Sequence, residues 1–449
     1  MPGVSAYDPI DNLEAIDDPS VKYILSKKKI LEDLGLKYVG QLYFVNAQEV
    51  SGIDAEKYER ALVRLREYLT NVPGSGIDAY TLLKRSHELV RYIHTGSVVL
   101  DYILGGGIRT GIVTEFAGPY RSGKTQISLT SSIAVQLPPA PIDTDVVINT
   151  DKCNLALKSS GQEFNDLSAL DPIGRGLNKG AIYIDTESAF EPARLIPIAE
   201  RFGLDHKEAL KRITVFRVSS VAEQFDAAYR AGLMIPEKNV GLVVVDSLMN
   251  LFRAEYVGRE RLAERQQMVN KFVHLLSRMA EIYNIGVIIT NQVMDMPEGR
   301  FTGGGDEFGL KVVGGHVVAH NVGVRVMLNI ASASSNKRAE PVTVRRAKIV
   351  DASFLPQREA RFGISDSGVV DVDLEPLCRF VVTDYLTYGG IRGGLDRLII
   401  PPSEAKISKK LAAMKAAKSR KGIKTVSVTK SGSSSKNGSK EKKSSKKKA

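Results

Sequence analysis

The chain of 449 residues has no tryptophan and two cysteines, Cys153 and Cys378. Two thiols so far apart exclude a disulfide scaffold and a cysteine-rich zinc cluster, and a reducing compartment inside the cell is the default. There is also no run of about eighteen apolar residues, the length of a membrane-spanning helix. Met1 to Ser20 is acidic and polar, without a charged leader followed by an apolar stretch, so a soluble, non-secreted protein with no membrane contact is expected. Excess positive charge is absent everywhere but at the end. Residues 405–449 hold 16 of the 62 Lys and Arg and one acid, Glu441, of the 51 Asp and Glu, which leaves the rest with 46 basic and 50 acidic side chains. The formal net charge of +11 is therefore a property of the tail and is no argument for a basic surface on the folded part.

What is present divides into segments. Residues 1–70 carry helical apolar spacing, with Tyr58, Leu62, Leu65 and Leu69 on one face, and predict a small all-α domain. Pro73, Gly74 and Gly76 give 71–94 the chemistry of a linker, with a boundary near residue 75. Over 95–373, short β-branched runs alternate with helix-length segments: Ile112 to Ala117, Ala181 to Asp185, Ile213 to Val218, Val240 to Asp246, Gly286 to Asn291, Val322 to Ile330 and Val342 to Ile349. Buried strands separated by helices predict an α/β domain with a mostly parallel central sheet. A polar, proline-containing segment at about 138–180 breaks this rhythm and reads as a mobile insertion. Residues 374–404 form a C-terminal extension. The Lys-, Ser- and Gly-rich stretch 405–449 is too poor in apolar residues to bury anything and is expected to be disordered.

The clearest chemical signal is Gly118-Pro119-Tyr120-Arg121-Ser122-Gly123-Lys124-Thr125, set between the strand-like Ile112 to Ala117 and a helical run that starts at Gln126. A nucleoside triphosphate needs backbone N–H groups facing its oxygens, a helix N-terminus, a Lys for the outer phosphates and a hydroxyl for Mg²⁺, and this spacing supplies all of them. A chance Gly-rich turn is the competing reading. Asp246 ends the apolar run Leu242 to Val245, which suits a carboxylate holding Mg²⁺ opposite Thr125, although a strand-end Asp taken alone is usually structural. Glu187 follows another strand at the edge where ligands collect in such sheets; it can orient or deprotonate an attacking water, or be one of the many carboxylates found at strand ends. Thr290-Asn291-Gln292 sets amides at a third strand end, where a γ-phosphate could be sensed or where the strand simply ends in polar residues.

These residues resemble the RadA-type recombinases, the archaeal and eukaryotic relatives of RecA. The resemblance runs over about residues 20–373 and is carried by the Gly118 to Thr125 loop, Asp185-Thr186-Glu187, Val245-Asp246-Ser247, Phe252 to Arg259, Leu262 to Gln267, Thr290 to Val293 and Gly314-Gly315-His316. It implies a RecA-like P-loop ATPase core, with ATP and Mg²⁺ as cofactors, that polymerises on single-stranded DNA and exchanges it with homologous double-stranded DNA. Self-association into a filament or ring and recombination mediator proteins are the further partners it implies. The location would be intracellular: cytoplasm and nucleoid in a prokaryote, nucleus in a eukaryote. Carried over position by position, the catalytic residues are Lys124, Glu187 and Gln292, and Mg²⁺ is held by Thr125 and Asp246. Nucleotide contacts come from Gly118, Pro119, Tyr120, Arg121, Ser122, Gly123, Lys124, Thr125, Gln126 and Arg194, with Asp351 and Pro356 capping the ATP of a neighbouring subunit. Two loops face DNA, one around Arg253, Tyr256, Arg259 and Arg265, the other from Val293 to about Val313. Arginines can neutralise phosphates and a Gly-rich loop can follow a strand's backbone, but Glu255, Glu260 and Glu264 alternate with these arginines, so a solvated helix face fits the charge pattern too.

The N-terminal unit looks like the family's helix-hairpin-helix module, which touches duplex backbone through Gly-turn amides. The second hairpin matches at Val50-Ser51-Gly52-Ile53; where the first is expected the chain reads Lys22-Tyr23-Ile24-Leu25. The family's linker motif Phe-x-x-Ala, whose Phe anchors the next subunit, has Gly76 at the Phe position and Ala79 at the Ala, leaving Ile77 or Tyr80 as substitute anchors. Ser188 to Ala193 and Val350 also depart from the family pattern. Two functions follow: a DNA-dependent ATPase that assembles on single-stranded DNA and catalyses homologous pairing and strand exchange, or a paralogue with an intact ATP site that serves another recombinase. The tail is expected either to add salt-sensitive DNA affinity or to act in solubility or localisation.

Overall fold

The structure is a computed structural model that describes residues 4–139, 176–295, 310–312, 321–331 and 342–372. Most of the expected insertion, most of the second DNA loop, Gly314 to His316, both cysteines, the extension 374–404 and the tail lie outside these residues.

Strands β1 (Tyr92–Ile93) and β2 (Ile108–Arg109) form a small antiparallel pair. The main strands are β3 (Val113–Gly118), β4 (Gly180–Asp185), β5 (Ile213–Arg217), β6 (Val240–Asp246), β7 (Gly286–Asp295), β8 (Leu310–Val312), β9 (Val324–Ile330), β10 (Thr343–Ala352), β11 (Glu359–Ser365) and β12 (Gly368–Asp371). They build one sheet in the order β12-β11-β10-β9-β3-β7-β6-β4-β5, with β8 paired to β7. Strands β9, β3, β7, β6, β4 and β5 run parallel, and the remaining pairings are antiparallel.

Alternation along the central strands explains why these runs are apolar throughout. On β6, Val243 and Val245 enter one buried cluster while Leu242 and Val244 enter another on the opposite face, and on β4 Ile182 and Ile184 oppose Ala181 and Tyr183 in the same way. Helices Val221–Met234 and Leu262–Tyr283 cover the first face, and helices Lys124–Ala134 and Ile196–Arg201 cover the second.

Residues 4–70 hold short helical turns and helices joined by loops, with Asp18 capping helix Pro19–Ser26 and Asp54 capping helix Ala55–Thr70. Lys22 to Leu25 lie within the first of these helices, whereas Val50 to Ile53 form a turn in which Gly52 has φ +85°. The apolar residues of this region join the cluster on the first face of the sheet rather than a separate core. The contact is close: a Cβ on Gly40 would lie 2.3 Å from Tyr283 Cε1, and Phe44 stacks on the Tyr283 ring at 5.8 Å.

Candidate functional site

Parallel register places the candidate groups along one edge. Gly118 pairs with Gln292, Asp185 with Asp246, and Val245 with Ile289, so the C-terminal ends of β3, β7, β6 and β4 lie side by side. This is where ligands bind in open parallel sheets.

The loop after β3 leads into helix Lys124–Ala134, whose N-cap is Gly123 at φ +103°. A Cβ there would meet Ile364 Cδ1 at 2.8 Å, so glycine is required both by conformation and by space. Unlike helices capped by Asp18, Asp54, Asp78, Ser97, Asp205 or Ser220, this helix has no side-chain cap. Its first N–H groups are left facing an anion, which is the condition a bound polyphosphate meets. Lys124 Nζ donates to the Gly118 carbonyl at 2.9 Å and the Pro119 carbonyl at 2.8 Å. Burial pulls the Lys124 ammonium below its usual pKa, against the opposing fields of Asp246 and Glu187. Ser122 is buried, Tyr120 is exposed, and Arg121, at φ +63°, sets its guanidinium 5.6 Å from the Tyr120 ring centre. Thr125 lies in the first turn, where its hydroxyl can serve a cation.

Asp246 is held at both oxygens: Tyr183 Oη donates to Oδ2 at 2.6 Å and Thr290 Oγ1 donates to Oδ1. Such anchoring fixes a carboxylate's orientation for a metal ion. The Tyr183 hydroxyl is pushed far above its ordinary pKa by burial and by Asp246, so it stays a donor. Glu187 is exposed, and its Oε1 accepts from Ser247 Oγ at 2.5 Å and from Gln292 Nε2 at 3.1 Å. Asp185 steadies the intervening turn by accepting from the backbone N–H groups of Glu187, Ala189 and Phe190. Lys124, Asp246, Glu187 and Gln292 thus share one edge. The donor set, a capless helix start, one ammonium, a hydroxyl and an oriented carboxylate, fits a triphosphate with Mg²⁺.

The other expected residues are placed differently. Arg194 donates to Gln126 Oε1 at 3.1 Å and to the carbonyls of Ser365 and Asp366, so it ties the helix after the phosphate loop to the β11–β12 turn. Asp351 pairs with Arg325 and Ala352 with Val324, which in turn pairs with Thr114 near the start of β3. Asp351 and the exposed Pro356 therefore lie towards the edge opposite the chain's own phosphate loop, Asp351 being level with Glu115, about 10 Å along the strand from Gly118 at about 3.3 Å per residue.

Helix Asn250–Glu255 leaves the same edge as Glu187, with Asn250 Nδ2 bonded to the Thr186 carbonyl at 2.7 Å. Beyond it Arg259 is exposed, while Arg253 and Arg265 are half-buried and Arg265 donates to the Tyr256 carbonyl at 3.4 Å. Tyr256 is only 9% exposed: its ring stacks on Phe252 and Arg261 lies 4.6 Å over it. In this conformation the ring is a packing residue and the exposed charge beside it comes from Arg259 and Arg261. Directly after Gln292, β7 continues through Val293 to Asp295, which pair antiparallel with β8.

Sequence reasoning gave no role to Ser247, quoted only within its motif, and missed Tyr183, Arg261 and Arg345, which donates to the Arg121 carbonyl at 2.9 Å. A single polar-tipped residue inside the run Ala181 to Ile184 was the one available signal for Tyr183. Among the described residues no cluster of His, Cys, Asp and Glu resembles a metal cage, and no helix is long and apolar enough to cross a membrane.

Comparison with known proteins adds independent support. The sequence model of the family described as Rad51 matches residues 84–146 and 168–372. A protein of Ignicoccus hospitalis named "DNA repair and recombination protein RadA" is 40% identical over 282 residues, covering 63% of this chain and 73% of the relative. One of the same name from Aeropyrum pernix is 38% identical over 289 residues, covering 64% and 76%.

Proposed function

The chain belongs to the Rad51 family, and from that premise we propose how its ATP site drives recombination. The protein is a DNA-dependent ATPase recombinase of homologous recombination and DNA repair. The finer reading is that it assembles as a filament on single-stranded DNA, pairs it with a homologous duplex and exchanges strands, inside the cell and with help from mediator proteins. Residues 1–70, the linker 71–94 and the core 95–373 are the working parts of this proposal.

The observation that carries it is the bond from Gln292 to Glu187, which joins the water-activating carboxylate to the start of the second DNA loop. Lys124, the first N–H groups of its helix, and Arg121 hold the phosphates. Thr125 and Asp246 would hold Mg²⁺, which would supply charge neutralisation at the phosphates. Glu187 Oε2 is free to orient a water, while Oε1 stays on Ser247 when Gln292 turns to the γ-phosphate. The γ-phosphate region competes for Gln292, and loss of that phosphate lets Gln292 return to Glu187, shifting the DNA loop between two populations. Asn250 and Ser247 give the first loop the same link to the site.

Lys124→Ala tests the reading. The variant should keep its fold and lose ATP-dependent binding to single-stranded DNA, measured by fluorescence anisotropy with and without a non-hydrolysable ATP analogue. ATP-dependent affinity equal to that of the unmodified protein would sink it.

A further inference from the structure

A cavity of about 580 Å³ lies between the N-terminal segment and the sheet, walled among others by Tyr7, Thr70, Arg91, Lys179, Glu281 and Asn284. Its position is set by topology: Lys179 immediately precedes β4 and Asn284 closely precedes β7, so it sits at the N-terminal edge of the parallel strands, away from Gly118. Two cations face it. Lys179 Nζ donates to Tyr7 Oη at 2.9 Å and lies 4.0 Å from that ring's centre. The Tyr7 hydroxyl is itself fixed on the Tyr283 carbonyl at 3.2 Å. Arg91 uses Nη1 on the Val90 carbonyl at 2.9 Å. Neither cation has a carboxylate partner among the described residues, because Glu281, the acid on the same wall, pairs with Arg66 at 2.5 Å.

Two half-buried cations facing one cavity without a carboxylate partner are costly unless an anion completes the site. The fork of an Arg with the point charge of a Lys matches phosphate oxygens, and the volume is that of a small-molecule site. We propose that this cavity is a second anion site, separate from the phosphate loop, that takes a small phosphate-bearing ligand on Lys179 and Arg91 and so ties the N-terminal segment to the sheet. The inference does not depend on the recombinase reading. Burial already pushes Lys179 down to about 8, and a bound anion would favour its charged form. Tyr7, Arg91, Glu281 and Tyr283 are the other ionisable groups on the cavity wall.

Calorimetric titration of the full chain with pyrophosphate tests this. Two binding events per chain are expected; Lys124→Ala removes one, and Lys179→Met or Arg91→Gln weakens the other by about tenfold or more, the effect of losing a charged hydrogen bond. Lys179→Arg should retain it, and raising the pH through 8 should weaken it. Should Lys179→Met fail to fold, Arg91→Gln decides alone. A single event in the unmodified chain, or a second event unchanged by these substitutions and therefore residing elsewhere, such as on the basic tail, overturns the proposal.

Discussion

Arg325→Met is the sharpest test of how the phosphate loop is supported. Glu115, three residues before Gly118, is 0% exposed, and Arg325 is 8% exposed. Arg325 Nε lies 2.5 Å from Glu115 Oε2, and Asn291 Nδ2 donates to Oε1 at 2.9 Å. Register puts Glu115 opposite Arg325 on β9 and Ile289 on β7, so one carboxylate joins three neighbouring strands just below the nucleotide edge. Removing the guanidinium leaves a buried charge with only the amide, which costs about 3–5 kcal/mol. Replacing both charges with Glu115→Gln and Arg325→Met should recover most of that, because no unpaired charge is then left buried and the Gln amide can keep the bond to Asn291. Thermal unfolding should therefore show the single variant lower by roughly 5 °C for a chain of this size, and the double variant near the unmodified protein. A loss below about 1 kcal/mol in the single variant, or a double variant no better than the single, would refute the view that this pair is a desolvated strut.

Gly123→Ala should abolish nucleotide binding and destabilise the chain by about 1–3 kcal/mol, because the new Cβ meets Ile364 in a left-handed backbone; a nucleotide titration with unchanged affinity would contradict this. Lys179 has a folded pKa of about 8, below its unfolded value, so between 8 and the ordinary lysine range the unfolded chain holds the extra proton and stability rises with pH. Lys179→Met should flatten that rise in denaturant titrations at successive pH values, and an unaltered slope would count against the burial argument. Tyr80 is 65% exposed on helix Ala79–Leu89, beside the exposed Leu83, while Gly76 has no atom near its missing Cβ. Tyr80→Ala with Leu83→Ala should shorten filaments on single-stranded DNA in electron micrographs, and filaments of normal length would remove these residues as the substitute anchor.

The sheet was legible in the sequence because its central strands β3, β4 and β6 are buried on both faces and so read as continuous apolar runs: Val240–Asp246 has the bounds its composition predicts, and Ala181 to Asp185 differs by one residue. The phosphate loop was legible because local backbone geometry demands Gly123. What escaped depends on long-range partners. Strands β11 and β12 were missed, and with them Asp371, whose carboxylate accepts from Ser97 Oγ at 2.6 Å and from the Val98 and Val99 N–H groups to start helix Val98–Ile103. No periodicity announces a cap 274 positions away. Tyr183 reads as one more β-strand aromatic until the register β4 to β6 sets it by Asp246. Arg194 was expected at the nucleotide on family grounds; its contacts with Gln126 and with the Ser365 and Asp366 carbonyls depend on long-range partners that no spacing announces.

The antiparallel run of β10 gives the site its remaining logic. Because β10 reverses direction beside β9, Arg345 lies at the phosphate-loop edge and reaches the Arg121 carbonyl, while Asp351 and Pro356 fall towards the opposite edge. Asp351 thus sits away from the chain's own Lys124, the placement expected of a residue that would serve the nucleotide of another copy. A head-to-tail contact of this kind joins two different surfaces of the same molecule, and it extends into a filament unless its rotation closes a ring. Linker and cap would then be two faces of one requirement: the exposed residues of helix Ala79–Leu89 set the spacing between copies, and that spacing decides whether Asp351 reaches the neighbouring phosphate loop.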